Sequence, residues 1–255
     1  MLAIDNIGIA LLLTLVAGMA TCIGGCIVFF TKSTRSPDRF LGVCLAFSSG
    51  IMIYISFTEI FRKAQQALGG DTFKAFLLTN VGFFGGIAIM ALIGAVLPEK
   101  KAPSSHIMMA GIYAVAATTI HNFPEGLATF MAVLEGGEAA PVTFFALAIH
   151  NIPEGFAVAM PIAYATGKKM KGFASSLLSG IAEPIGALLG WFFLKPIMTE
   201  AVSGMIFAAT SGIMVYLCFN ELIPLSLRYC GKKLSVICIT LGFLVIASSL
   251  ILLSL

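Results

Sequence analysis

Apolar residues run through this chain in long blocks rather than in the narrow periodic stripes of a soluble amphipathic helix. A helix that crosses a bilayer needs about 20 mostly apolar residues in a row. Cutting the chain where charges and Gly/Pro clusters interrupt the blocks predicts eight such helices. They lie at roughly 7–30, 40–61, 75–97, 107–134, 141–165, 172–194, 201–226 and 234–254. The loops between them are short and leave no room for a soluble domain, so one transmembrane domain over residues 1–255 is expected. The first block starts near Ile7 with no basic region ahead of it and is long enough to span, so it reads as a helix, not a cleavable leader.

Composition agrees. Of 255 residues, 59% are hydrophobic and 11% charged, and the mean hydropathy is +1.02. The usual apolar share of a soluble domain is about 45–50%, so a soluble protein is excluded and a polytopic, all-α membrane protein is expected. The formal charge of +3 matters less than its placement. One set of loops carries Lys32, Arg35, Arg39, Lys100, Lys101, Lys168, Lys169, Lys171, Arg228, Lys232 and Lys233. The other set carries only Arg62, Lys63, Lys74 and Lys195, and its fourth-to-fifth loop holds Glu135 and Glu138 without a base. The positive-inside rule then puts both termini outside the cytoplasm of a cell (inner or plasma) membrane. The six cysteines, Cys22, Cys26, Cys44, Cys218, Cys230 and Cys238, form no CxxC pair and read as small hydrophobes.

Two blocks resemble each other. "SSGIMIYISFTEI" (48–60) aligns without gaps on "TSGIMVYLCFNEL" (210–222). Ser49, Gly50, Ile51, Met52, Tyr54, Phe57 and Glu59 match Ser211, Gly212, Ile213, Met214, Tyr216, Phe219 and Glu221. The copies are five spans apart, so they cross in opposite directions. Spans one to three and six to eight would form an inverted repeat around spans four and five, a 3+2+3 arrangement suited to alternating access about a midplane site.

That midplane carries a second repetition: "HNFPEG" at 121–126 and "HNIPEG" at 150–155. In a helix, residues three and four apart share a face, so His121, Asn122 and Glu125 converge, as do His150, Asn151 and Glu154. Pro124 and Pro153 lack the N–H that would satisfy the carbonyls of Ile120 and Ile149. Glu183-Pro184 in span six does the same to Gly180. These carbonyls then need side chains, water or an ion. Glu125, Glu154 and Glu183 read as deep and Glu59 and Glu221 as lying toward span ends, with no Lys or Arg beside them. A charge near the bilayer centre costs at least about 2.5–3.5 kcal/mol, so the three deep carboxylates must be protonated, hydrated or holding cations. With two imidazoles nearby, a divalent transition metal suits the set. A proton relay or a polar patch tying the bundle together are the alternatives. A bis-His haem leaves the glutamates unused, and an intramembrane metalloprotease would want HExxH, which is absent. His106 reads as a surface residue in a loop beside Pro103.

On "HNFPEGLATF", "HNIPEGFAVAMPIAYATG" and "GIAEPIGALLGW" the chain resembles the ZIP (Zrt/Irt-like) family of divalent metal transporters, in its bacterial ZupT-type branch. The resemblance covers essentially the whole chain and implies a transporter rather than an enzyme. It implies a primary metal site of His121, Glu125 and Glu154, and an adjoining one of Asn122, Asn151 and Glu183 bridged by Glu125 and Glu154. His150 is carried over as a ligand or shuttle. Many eukaryotic members read HELPHE in span five; here Asn151 and Glu154 replace its second residue and second histidine. That harder, less nitrogen-rich set implies breadth over Zn2+, Fe2+, Mn2+, Co2+ and Cd2+, with no catalytic cofactor. The resemblance further implies import to the cytoplasm, with spans one, four, five and six moving like an elevator against two, three, seven and eight. A channel, an ion-coupled exchanger or a metal-dependent membrane enzyme are the other readings. Glu59 and Glu221 are read as the pathway mouths. The partners expected are metal ions and lipid, not nucleic acid. A homodimer stays open, as does whether Gly82/Gly86 and Gly186/Gly190 pack within or between chains.

Overall fold

Apolar blocks this long fold as helices because lipid offers the backbone no partner, so each peptide group must bond within its own segment. In the computed structural model, residues 2–32, 37–96, 103–134, 140–194 and 199–253 are described, and every regular element among them is helical. Arg35, Lys100, Lys101, Glu135, Glu138 and Lys195, which entered the charge count above, lie outside the described residues.

The first long helix is α1 (Leu2–Gly25), tightening to a 3-10 turn at Cys26–Phe30. The second runs as α2 (Arg39–Ile55), a π-turn at Ser56–Ile60 and α3 (Phe61–Ala67). Then come α4 (Phe73–Val96), α5 (Pro103–Leu134), α6 (Ala140–Thr166) and α7 (Lys169–Leu189), the last continued by a π-turn at Gly190–Leu194. A further composite helix joins α8 (Glu200–Leu217), a π-turn at Cys218–Leu222 and α9 (Ile223–Cys230). The last is α10 (Lys232–Leu253). Among the described residues, six stretches are long and apolar enough to cross a membrane: Ile7–Phe30, Arg39–Ala67, Phe73–Ala95, Lys169–Phe193, Glu200–Cys230 and Lys232–Leu252. The remaining long helices, α5 and α6, carry the polar motif.

The sequence-based limits need three corrections. The second and seventh helices continue past 61 and 226, because Arg62, Lys63 and Arg228 are carried as part of a helix. Arg62 and Lys63 therefore belong to α3 and not to a loop. His106 lies in the first turns of α5, exposed, rather than in a loop.

Small residues set the packing. Without a hydrophobic drive between helices in lipid, close approach and dispersion take over. A methyl group added at Gly82 would meet Ala208, and one at Gly86 the backbone of Ala209. One at Gly186 would strike Phe123 and one at Gly190 Leu127. Both glycine pairs thus pack within the chain, α4 on α8 and α7 on α5. Gly50 lies against Ile239 of α10 and its aligned counterpart Gly212 against Phe83 of α4. The two π-turns, Ser56–Ile60 and Cys218–Leu222, also occupy aligned positions of the repeat.

Two groups of helices result. α1, α5, α6 and α7 pack chiefly on one another, and α2, α3, α4, α8, α9 and α10 do the same. They meet where α2 crosses α6 and α5 crosses α8. At one end Asp38 caps α2 through the Leu41 N–H (3.1 Å) and accepts the Tyr164 hydroxyl (2.7 Å). Lys169 donates to the Thr31 carbonyl there (2.6 Å), and Gly42 abuts Cys230. The connections before α2, before α7 and before α10 therefore share that end. Exposed apolar side chains cover the outside, among them Leu12, Ile23, Phe84, Leu92, Leu178 and Leu244. Such a belt has no counterpart on a soluble monomer.

Candidate metal centre

The two motifs lie in uninterrupted helix: α5 runs through Pro124, α6 through Pro153 and α7 through Pro184. One helical turn separates His121 from Glu125, and the His121 Nε2 is 2.9 Å from Glu125 Oε2. The other oxygen of Glu125 is 3.2 Å from His150 Nε2, so this carboxylate stands between the two imidazoles. Glu154 Oε1 closes the cluster at 3.5 Å from His121 Nε2, and the imidazole centroids are 6.2 Å apart. Two ligand atoms about 2.0–2.1 Å from a tetrahedral zinc ion are about 3.4 Å from each other. The spacings in this cluster bracket that edge length, and one ligand atom each from His121, Glu125 and His150 lies within 4.8 Å of the others.

The second set adjoins it. Asn151 donates its amide N–H groups to the Ala17 carbonyl of α1 (2.9 Å) and to Glu183 Oε1 of α7. Asn122 donates to the Ser179 carbonyl at 3.2 Å. Only the nitrogen of an amide can donate to these acceptors, so the Oδ1 atoms of both asparagines keep their lone pairs free. Gly126, directly after Glu125, rests on the backbone of Glu183 and ties the two sets together. Gly155, directly after Glu154, rests likewise on Thr21 and Gly24.

All seven residues are at most 6% exposed. Beyond the contacts within the cluster itself, the protein gives no hydrogen bond to either nitrogen of His121 or His150, to one oxygen each of Glu125, Glu154 and Glu183, or to the Oδ1 atoms of Asn122 and Asn151. Leaving a buried polar group unpaired costs about 1–3 kcal/mol, more when it is charged. The carboxylate and amide oxygens, and one nitrogen of each neutral imidazole, carry free lone pairs, so what they can bind in common is an electron-pair acceptor. Three carboxylates beside two imidazoles fit a divalent cation of the type that accepts both oxygen and nitrogen.

Thus the structure brings His121, Glu125, His150 and Glu154 into direct contact, and links Asn151 with Glu183. The freed carbonyl of Gly180 faces Gly18 of α1 and not a polar site. Glu59 and Glu221 are not at helix ends: each sits on a π-turn with a further stretch of helix beyond it. Nor is Glu59 without a cation, since Lys63 Nζ is 2.7 Å from its Oε1. Glu221 accepts from the Asn220 amide at 2.8 Å. Sequence reasoning missed Lys63, Ser48 and the motif glycines. The i,i+4 spacing of Glu59 and Lys63 was the available signal for the first. A glycine closing both motif copies was the signal for the last. Ser48, which donates to the Pro153 carbonyl at 2.8 Å, offered none.

Known proteins align with this site and with the chain around it. The family model described as "ZIP Zinc transporter" matches residues 7–94 and 97–249. The chain is 42% identical over 268 residues to the zinc transporter ZupT of Lysinibacillus sphaericus, covering 97% of this chain and 98% of that protein. It is 42% identical over 279 residues to the zinc transporter ZupT of Clostridium perfringens, covering 97% of each. With the zinc transporter ZupT of Streptococcus mutans it shares 44% over 257 residues, covering 95% of this chain and 97% of the other.

Proposed function

Because this chain belongs to the ZIP zinc transporter family, a family of transporters and not of enzymes, we propose that it imports Zn2+ into the cytoplasm through the His/Glu/Asn centre of α5, α6 and α7. The observation that carries this is the set of converging lone pairs on His121, Glu125, His150 and Glu154, buried between helices of a multi-pass membrane protein. These four hold the ion, and Asn122, Asn151 and Glu183 form the adjoining position, with Glu125 and Glu154 shared between the two. Every one of these residues comes from a single chain, so no second copy is needed to build the centre. Three carboxylates against two imidazoles also favour passage of Fe2+, Mn2+, Co2+ and Cd2+.

The architecture we infer is one domain of eight spans over residues 1–255. Spans one to three and six to eight are related as an inverted repeat about spans four and five. The aligned π-turns, and the aligned Gly50 and Gly212 contacts, support it. Charge placement favours both termini outside the cytoplasm. α1, α5, α6 and α7 then travel as a unit against the other helices and carry the ion between mouths marked by Glu59 and Glu221. A dication entering an inside-negative cell gains about 4.6 kcal/mol per 100 mV, enough to give the direction.

Proteoliposome uptake tests the reading. Saturable Zn2+ uptake, lost in His121→Ala and Glu125→Ala, is expected. Current that grows linearly with voltage would replace the carrier with a channel. Zinc binding without any flux would overturn transport altogether.

A further inference from the structure

Lys63 is a partly exposed cation near the end of the second long helix. It lies on α3, one turn beyond the π-turn that carries Glu59, and its ammonium is 2.7 Å from the Glu59 carboxylate. Side-chain accessibility is 43% for Lys63 and 17% for Glu59, against 7% for Glu125 and 1% for His121 in the centre. The second oxygen of Glu59 is buried and receives no hydrogen bond from the protein. The pair therefore leaves one carboxylate oxygen free. The aligned acid, Glu221, lacks this arrangement: Leu225 stands at the position equivalent to Lys63, and an amide is its partner instead.

We propose that Lys63 is a specificity-determining residue for transport, a tethered counter-ion that holds Glu59 against monovalent cations and yields it to a divalent one. This rests on the transporter reading above. A free Na+ or K+ carries the same charge as the ammonium but lacks its tether, so it cannot displace Lys63 from a 2.7 Å contact. A dication brings twice the charge to the free oxygen of Glu59, and the ammonium swings away on its flexible stem. The ion then moves on to Glu125 and His121, and Lys63 returns to Glu59. Among the described residues, none of the direct contacts of the centre involves Lys or Arg.

Zinc uptake into proteoliposomes, measured in Na+ and in an organic-cation salt of equal ionic strength, tests it. For the wild type the KM is expected to be the same in both. For Lys63→Gln the KM in the organic-cation salt falls about tenfold, the size of one screened charge interaction, and rises again in Na+. Lys63→Arg keeps the charge and restores wild-type behaviour. Glu59→Gln raises the KM in both salts and removes the effect of Lys63→Gln in the double variant. A Lys63→Gln protein that elutes as a single species and shows the wild-type KM in both salts overturns the proposal while leaving the transporter reading intact. Should Lys63→Gln not fold, wild-type kinetics in Glu59→Gln would overturn it equally. Absence of zinc uptake by the wild type would instead remove the reading on which it rests.

Discussion

Gly126 lies against the backbone of Glu183 so closely that a methyl group on it would collide with the Glu183 carbonyl. The residue that closes the first motif thus lets α5 and α7 touch, as Gly186 does against Phe123 from the α7 side. Through Gly126, the turn of α5 that carries Glu125 is held beside the turn of α7 that carries Glu183. Gly155 likewise brings α6 against Thr21 and Gly24 of α1. Each copy of the motif therefore carries a His/Glu pair and the glycine that lets the neighbouring helix approach it.

Gly126→Ala should separate α5 from α7, because the obstructing atoms are backbone and cannot rotate away. Overpacking of this kind costs about 1–3 kcal/mol, so the thermal midpoint in detergent should fall while the protein still folds. Zinc titration calorimetry should show weaker binding, since the turn that carries Glu183 is pushed away from the turn that carries Glu125. Unchanged affinity in a destabilised protein would mean that the glycine serves packing alone.

His150 should prove to be a ligand. Its Nε2 is 3.2 Å from the carboxylate that also meets His121. His150→Ala should lower zinc affinity by at least about tenfold, in line with losses seen around metal sites. His121→Ala should lose more, since His121 touches both Glu125 and Glu154. Equal zinc affinity in His150→Ala and wild type would restrict the centre to His121, Glu125 and Glu154.

Much of this was legible in the sequence, for physical reasons. Lipid forces helices, so block length alone located the long helices. Helical periodicity placed His121 with Glu125 and His150 with Glu154 on shared faces, and the short α5–α6 connection made the faces neighbours. What escaped the sequence depends on angles and depth between helices. The Ser48 bond to Pro153 joins residues 105 apart and follows from how α2 crosses α6. Glu59 and Glu221 looked terminal because Arg62 and Arg228 interrupt the hydropathy, yet the helices continue by carrying those charges outward. The π-turns under both acids have no compositional signature, although the alignment of 48–60 on 210–222 already implied that whatever happened at one would happen at the other.

Tyr164 should govern the rate of transport rather than the affinity of the centre. Its hydroxyl joins α6 to Asp38 at the head of α2, and so one group of helices to the other, at 2.7 Å. If the groups slide, this bond breaks once per cycle. A hydrogen bond to a charged acceptor is worth about 1.5–3 kcal/mol, so Tyr164→Phe should alter the maximal zinc uptake rate several-fold. Zinc affinity at equilibrium should stay as it is, because Tyr164 touches none of the seven centre residues. A changed affinity with an unchanged rate would place the bond in the architecture of the centre and not in the motion.

Ser211 and Ser49 occupy equivalent positions of the repeat but do different things. Ser211 donates to the Ser56 carbonyl at 2.8 Å, bridging α8 to the π-turn beneath Glu59. Ser49 donates within its own helix, to Leu45 at 2.6 Å. A π-turn loosens the regular hydrogen-bond ladder, and the Ser211 hydroxyl fastens it from outside. Buried side-chain bonds between membrane helices average about 0.6 kcal/mol and reach about 1.7. Ser211→Ala should therefore lower the thermal midpoint, and Ser49→Ala should not, because the Leu45 carbonyl keeps its helical partner. Since Glu59 lies on that π-turn, Ser211→Ala should also raise the KM for zinc, as is expected of Glu59→Gln. A Ser211→Ala protein less stable than wild type but with unchanged KM would show that the π-turn keeps its shape without the bridge, and that Glu59 is held in place by Lys63 alone.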